Sequence, residues 1–335
     1  MRPGRADTLH LGLFLCAALA VPFAAPWIGM QTISPAALLA PDASPLELRI
    51  FWQLRLPRVL MAWCAGATFG LCGMVFQAVF RNPLAEPSLL GVSSGAALGA
   101  AAAIRFGGAG IATATLLGVG AAIPFCAFLG AMTAVAVISA FSRIARSTRD
   151  ATLLLAGIAV SSIFTSLIMV FQYTGGEVES YKLLSWTMGG INVVGMGEGL
   201  RAVPALGLAL ALSLFFATEL DLITFGDEIA ATRGVALERT RRLLFAGMSL
   251  SVAIVVANCG PIAFLGLVAP HVARRLVGPR HFRLAFFSAL TGGTALVLCD
   301  TAARTLWAPA DLPVGIIISF LGAPFFLWLL FGPRK

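Results

Sequence analysis

The chain has 335 residues, 59% of them hydrophobic and only 11% charged, against about 25% charged in ordinary soluble domains. A water-soluble fold of this length cannot hide so much apolar surface, so the composition excludes an ordinary soluble enzyme and makes lipid the main solvent. The net charge is +8, and all 23 basic residues except Lys182 and Lys335 are arginines. Most lie in short stretches between apolar runs, the pattern that orients a membrane protein rather than the basic face of a nucleic-acid binder.

In lipid only helices and closed barrels satisfy the backbone. Barrel strands alternate apolar and polar residues, whereas the runs here are continuous, which predicts an all-α polytopic bundle forming one transmembrane domain over residues 1–335. A span needs about 20 apolar residues. Met1-Arg-Pro-Gly-Arg5 ahead of residues 9–30 has the look of a signal peptide, with Ala24-Ala25 near a cleavage position; the run is long enough to span, so a retained first helix is the expectation. Further spans are expected at 59–80, 87–104, about 114–142, 151–174 and 202–218. Gly107-Gly108 and Gly110 predict irregular backbone before the helix at 114. Residues 243–273 lack Asp, Glu, Lys and Arg and are broken at Asn258-Cys259-Gly260-Pro261, which predicts two helices joined by a tight turn. Runs at 284–307, holding Asp300 and Arg304, and at 312–330 complete a count of ten. Residues 183–197, short and glycine-rich, are expected to form a non-spanning helix lining a cavity.

Ten spans place both termini on one face. Alternating the loops gives that face 16 of the 23 basic residues, and the positive-inside rule makes it cytoplasmic. Gly66-x-x-x-Gly70 and Gly91-x-x-x-Gly95-x-x-x-Gly99 are spaced for close helix contact, by default within one subunit, with a dimer seam as the alternative. The six cysteines form no C-x-x-C pair and sit among apolar residues, so they read as packing residues.

Neither lysine follows a Gly-x-x-x-x-Gly pattern or precedes Ser or Thr, so the chain lacks a Walker-type phosphate loop. No nucleophile–base pair or zinc motif is evident; no catalytic residue, metal ligand or cofactor is assigned. His10, His271 and His281 all fall near the cytoplasmic face of this topology. Residues 219–242 form the longest cytoplasmic segment. Acids at Asp227 and Glu228 suit a helix start and Gly234 a helix stop, so a short helix over 227–233 is expected, either on the membrane surface or as a docking knob. Asp300 and Arg304, four apart, form a favourable pair in a span where ionisable residues point to function by default.

Several ordered motifs resemble the permeases that import cobalamin, haem and iron–siderophores. They are Leu54-Arg-Leu-Pro-Arg58, Arg81-Asn-Pro-Leu-Ala-Glu-Pro-Ser-Leu-Leu-Gly-Val-Ser-Ser-Gly-Ala96, Phe225-Gly-Asp-Glu228, Gly260-Pro-Ile-Ala-Phe-Leu-Gly-Leu-Val-Ala-Pro-His271, Asp311-Leu-Pro-Val-Gly315 and Gly322-Ala-Pro-Phe-Phe-Leu-Trp328. Asp311 departs from the glutamate more usual in that family and keeps its charge. The resemblance implies a homodimer of ten-helix subunits around a central pathway in the inner membrane. Two separate cytoplasmic ATPase subunits and a periplasmic substrate-binding protein would complete the importer. It also implies roles. Arg55, Arg58 and Arg304 would dock the binding protein; an alternative for the first two is anchoring at the lipid interface. Asn82 and Leu84, with Ser147, Thr148 and Asp150 of the 147–151 loop, would form the cytoplasmic gate, although Asn82 also suits a helix cap. Phe225, Gly226, Asp227, Glu228, Ala231 and Gly234 would couple to the ATPases. An iron chelate, siderophore or haem, is the first expected cargo and cobalamin the second; an ATP-independent carrier is the remaining alternative.

Overall fold

A computed structural model describes residues 5–29, 31, 33, 44–110, 122–144 and 150–331. Among them there are helices and no strands: α1 (Arg5–Ala24), α2 (Pro45–Val79), α3 (Val92–Gly110), α4 (Ala122–Ile144), α5 (Asp150–Thr174), α6 (Glu177–Thr187), α7 (Val203–Phe215), α8 (Ala217–Phe225), α9 (Asp227–Thr232), α10 (Leu237–Cys259), α11 (Leu265–Val277), α12 (His281–Thr305) and α13 (Val314–Phe331). Seven stretches of the described residues are long and apolar enough to cross a membrane: α2, α4, α5, α7 with its preceding turn, α10, α12 and α13. The other three expected spans are helices too. They are α1, α3 and α11, and the 13 residues of α11 reach only about 20 Å.

The helix α2 starts well before the expected residue 59. Ser44 caps it, its hydroxyl accepting from Glu47 N at 3.1 Å, with Pro45 at the first helical position, where its missing N–H costs nothing. A π-helical turn, Ile50–Arg55, leads into the straight part. The 35 residues run about 50 Å, longer than the roughly 30 Å hydrocarbon layer, so polar residues such as Glu47 and Arg49 project from its end. The helix α3 also departs from expectation, continuing through Gly107-Gly108 to Gly110.

Glycine sets the contacts. A Cβ on Gly66 would collide with the Gly292 carbonyl of α12, and one on Gly73 with the Gly266 carbonyl of α11. In the same way Gly95 and Gly99 of α3 lie against the backbone of Gly130 and Cys126 of α4. Both small-residue motifs therefore pack within the chain, and α2 becomes the axis around which α10, α11 and α12 gather.

The expected helix at 183–197 is divided. α6 occupies 177–187, and residues 188–195 form an extended connection threaded between helices. Gly190 N donates to Cys259 O at 2.8 Å and Gly315 N to Gly189 O at 3.2 Å. The expected turn after Cys259 has Gly260 at φ +69 and Phe264 at φ +63, so five residues rather than a tight pair separate α10 from α11.

Candidate functional site

At one end of the bundle four charges meet. Arg58 of α2 donates from Nε to Asp300 Oδ1 and Oδ2 at 3.0 and 3.1 Å, and from Nη1 and Nη2 to Asp311 at 2.7 and 3.1 Å. Arg304 lies 3.6 Å from Asp300 and donates to Ala25 O at 2.8 Å. Asp300 is 1% exposed, so its charge depends on these two arginines. Arg55 turns elsewhere: its guanidinium donates to the carbonyls of Pro26, Trp27 and Gln31, and it is buried. Thus Arg58 and Arg304 come together through Asp300, while Arg55 ties α2 to the segment after α1. The sequence had paired Asp300 with Arg304; the tighter partner, Arg58, stands 242 residues away. The signal for it was a buried acid needing a strong cation near the end of another span.

At the other end α2 stops in a turn where Arg81 takes φ +46 and Pro83 bars continuation. Asn82 Oδ1 accepts from Leu84 N at 2.9 Å, and Asn82 O from Ala85 N at 3.0 Å. Asn82 therefore holds a turn, and Leu84 lines an open cleft of about 410 Å³ with Pro83, His271, Arg274, Arg275, Leu329 and Leu330. Ser147 and Thr148 lie outside the described residues, and of Asp150 only its place at the start of α5 is described. Sequence reasoning left out Glu86. This carboxyl is buried, and burial pushes it up to about 7, with the Phe264 backbone and the Ser88 hydroxyl acting the other way. An acid between apolar neighbours just ahead of Pro87 was the available clue.

Beside this turn α8 and α9 form a corner. Gly226 at φ +126 and Gly234 at φ +84 bracket α9, conformations that L side chains adopt only with strain. The expected helix and its glycine stop are both present. Ala230 faces inward and is buried, whereas Phe225 and Ile229 are exposed, as are Glu228 and Ala231. Asp227 points back into the chain: Arg241 of α10 grips it at 2.9 and 3.2 Å, and Arg81 stands 3.6 Å away. His281, at the start of α12, meets Asp221 of α8 at 2.6 Å. Among the described residues no group of three His, Cys, Asp or Glu side chains could hold a metal ion.

A bundle of apolar helices with charge clusters at its two ends, and a small-residue spine between, defines a polytopic membrane protein. The chain belongs to the FecCD transport family, whose model matches residues 12–332. It is 39% identical over 305 residues to the cobalamin import system permease protein BtuC of Halobacterium salinarum, covering 91% of this chain and 79% of that one. It is 35% identical over 281 residues to the iron(3+)-hydroxamate import system permease protein FhuG of Bacillus subtilis, covering 84% and 83%. A solved metal-chelate type ABC transporter in an inward-facing conformation superposes with a TM-score of 0.84 at 29% identity, over 97% of this chain and all of that one. The chain is thus a membrane-embedded ABC importer permease and not a catalytic subunit.

Proposed function

We propose that this chain forms the homodimeric permease of a binding-protein-dependent importer that moves a large iron chelate, siderophore or haem, across the inner membrane into the cytoplasm. The observation that carries the reading is the α8–α9 corner: a short helix between two positive-φ glycines, presenting Phe225 and Ile229 to the outside. A chain without a phosphate loop has to receive work through such a contact. Two ATPase subunits would grip Phe225, Gly226, Glu228, Ala231 and Gly234 of residues 219–242, and both termini would lie on that cytoplasmic side. The Asn82–Leu84 turn and the 147–151 loop, with Ser147, Thr148 and Asp150, would close the pathway there. At the periplasmic end Arg58 and Arg304 would receive acidic groups of the binding protein. Asp311, whose side chain is 49% exposed, is the partner an incoming carboxylate would displace. Arg55 supports that face from beneath.

Cobalamin is the second reading, favoured by the relative of that description at 39% identity. Reconstitution of the permease with its ATPase and binding protein in liposomes separates them: ATP-dependent uptake of ferric hydroxamate or haem is expected, and uptake of cobalamin alone would replace the first cargo by the second. Uptake that persists without the ATPase would overturn the importer reading itself.

A further inference from the structure

We infer that Asp227 is a positioning residue that joins the coupling helix α9 to the gate turn through Arg81. The inference rests on the reading of α9 as the contact with the ATPase. Asp227 is the first residue of α9 and follows Gly226, around whose Cβ position no atom lies within 4 Å. That single glycine lets α9 pivot against α8. The carboxylate of Asp227 is the charged tie between the pivoting piece and its neighbours. Its two oxygens are held by the two Nη atoms of Arg241, and Oδ1 also faces Arg81 Nη1 at 3.6 Å.

The two arginines have different anchorage. Arg241 sits on α10, largely covered, its side chain 16% exposed, and fixes where Asp227 rests. Arg81 belongs to the turn that ends α2. Its N–H bonds Ala78 O at 3.2 Å, and the next N–H, of Asn82, bonds Gln77 O at 3.1 Å. The left-handed backbone at Arg81 brings its side chain toward Asp227 of α9, while Pro83 and Leu84 of the same turn line the cleft. Movement of α9 changes the field felt by Arg81, and Arg81 shares one hydrogen-bonded turn with the residues that would narrow the pathway. A shift in conformation requires an interaction that differs between two states; the longer Arg81–Asp227 pair is one that α9 can make or loosen as it moves. Asp227 therefore acts inward, on the gate, and the outward surface of α9 is left to Phe225, Glu228, Ile229 and Ala231.

The test uses the permease reconstituted with its own ATPase and binding protein, and reads ATP hydrolysed per cargo imported. An exposed pair supplies modest energy, so Arg81→Gln is expected to raise that ratio about three- to fivefold with the ATPase still co-purifying, and Arg81→Lys to restore most of it. Asp227→Asn is expected to raise it further, since it also frees Arg241. The double variant Arg81→Gln/Asp227→Asn is expected to be no worse than Asp227→Asn alone. A wild-type ratio in Arg81→Gln, or effects that multiply in the double variant, would overturn the inference. Ala231→Trp, on the outer face of α9, is the control for the underlying reading: if the ATPase still co-purifies and uptake is normal, α9 is not the coupling contact and both fall.

Discussion

The helices α2 and α5 are comparably apolar, yet 89% of the most apolar stretch of α2 is buried inside the chain and 17% of that of α5. The difference lies in side-chain size. The helix α2 presents Gly66, Gly70 and Gly73 with Ala62, Ala65 and Ala67, so other helices approach its backbone. The helix α5 carries Leu155, Ile158, Ile163, Leu167 and Met169 outward, and Tyr173 is 92% exposed. In lipid, burying apolar surface gives no drive for helix to meet helix, and close contact between small residues takes over that role. Apolarity decides that both helices enter the membrane; glycine and alanine decide which one becomes the core.

The contrast can be broken most severely at the charge cluster around Arg58 of α2. Asp300→Ala leaves Arg58 with only the exposed Asp311 and removes the acid between two arginines. A loss of about 3–5 kcal/mol in unfolding free energy is expected, read as a collapse of thermal stability in detergent micelles.

A second probe lies where the chain leaves the core. Glu86 holds a proton in the folded chain up to about pH 7, against an ordinary value of 4.5. Its contribution is unfavourable once it ionises: stability falls as pH rises from about 4.5 to 7, because the folded state binds the proton that the unfolded state has lost, and is flat above. Glu86→Gln is expected to match the wild type near pH 4 and to exceed it by roughly 3 kcal/mol at pH 8. A parallel pH profile in the two proteins would remove Glu86 from the balance.

Gly66→Ala tests the spine itself. The added methyl meets the Gly292 backbone, and a loss of about 1–3 kcal/mol is expected. The smallest effect belongs to α5: Leu155→Ala is expected to change monomer stability by less than about 0.5 kcal/mol. A larger loss that appears only at concentrations where the chain self-associates would show that a second copy covers this face.

Much of the bundle was legible as continuous apolar runs, because membrane helices must be both long and greasy. Boundaries were not. The start of α2 was missed since Glu47, Arg49 and Gln53 interrupt the run, although Ser44-Pro45 with Glu47 two residues on is a readable helix start. The glycines 107–110 suggested loop, yet helix persists there. At the sites, Gly234 after α9 was legible as a helix stop because the left-handed conformation has a residue preference. The partners of Arg55 were not, since carbonyls of residues 26–31 have no sequence signature, and Arg58–Asp300 joins residues too far apart for any local pattern to reveal.

That separation has a consequence in time. Synthesis at about 5–20 residues per second puts roughly 12–50 s between the emergence of Arg58 and that of Asp300, 242 residues later. Throughout that interval α2 sits in or beside the membrane with an unmatched guanidinium, which has to reach toward water along its flexible stem. Its glycine face waits equally long for Gly292. The axial helix of the bundle is made second and completed next to last, so a chain truncated before α12 would leave its own centre open to lipid.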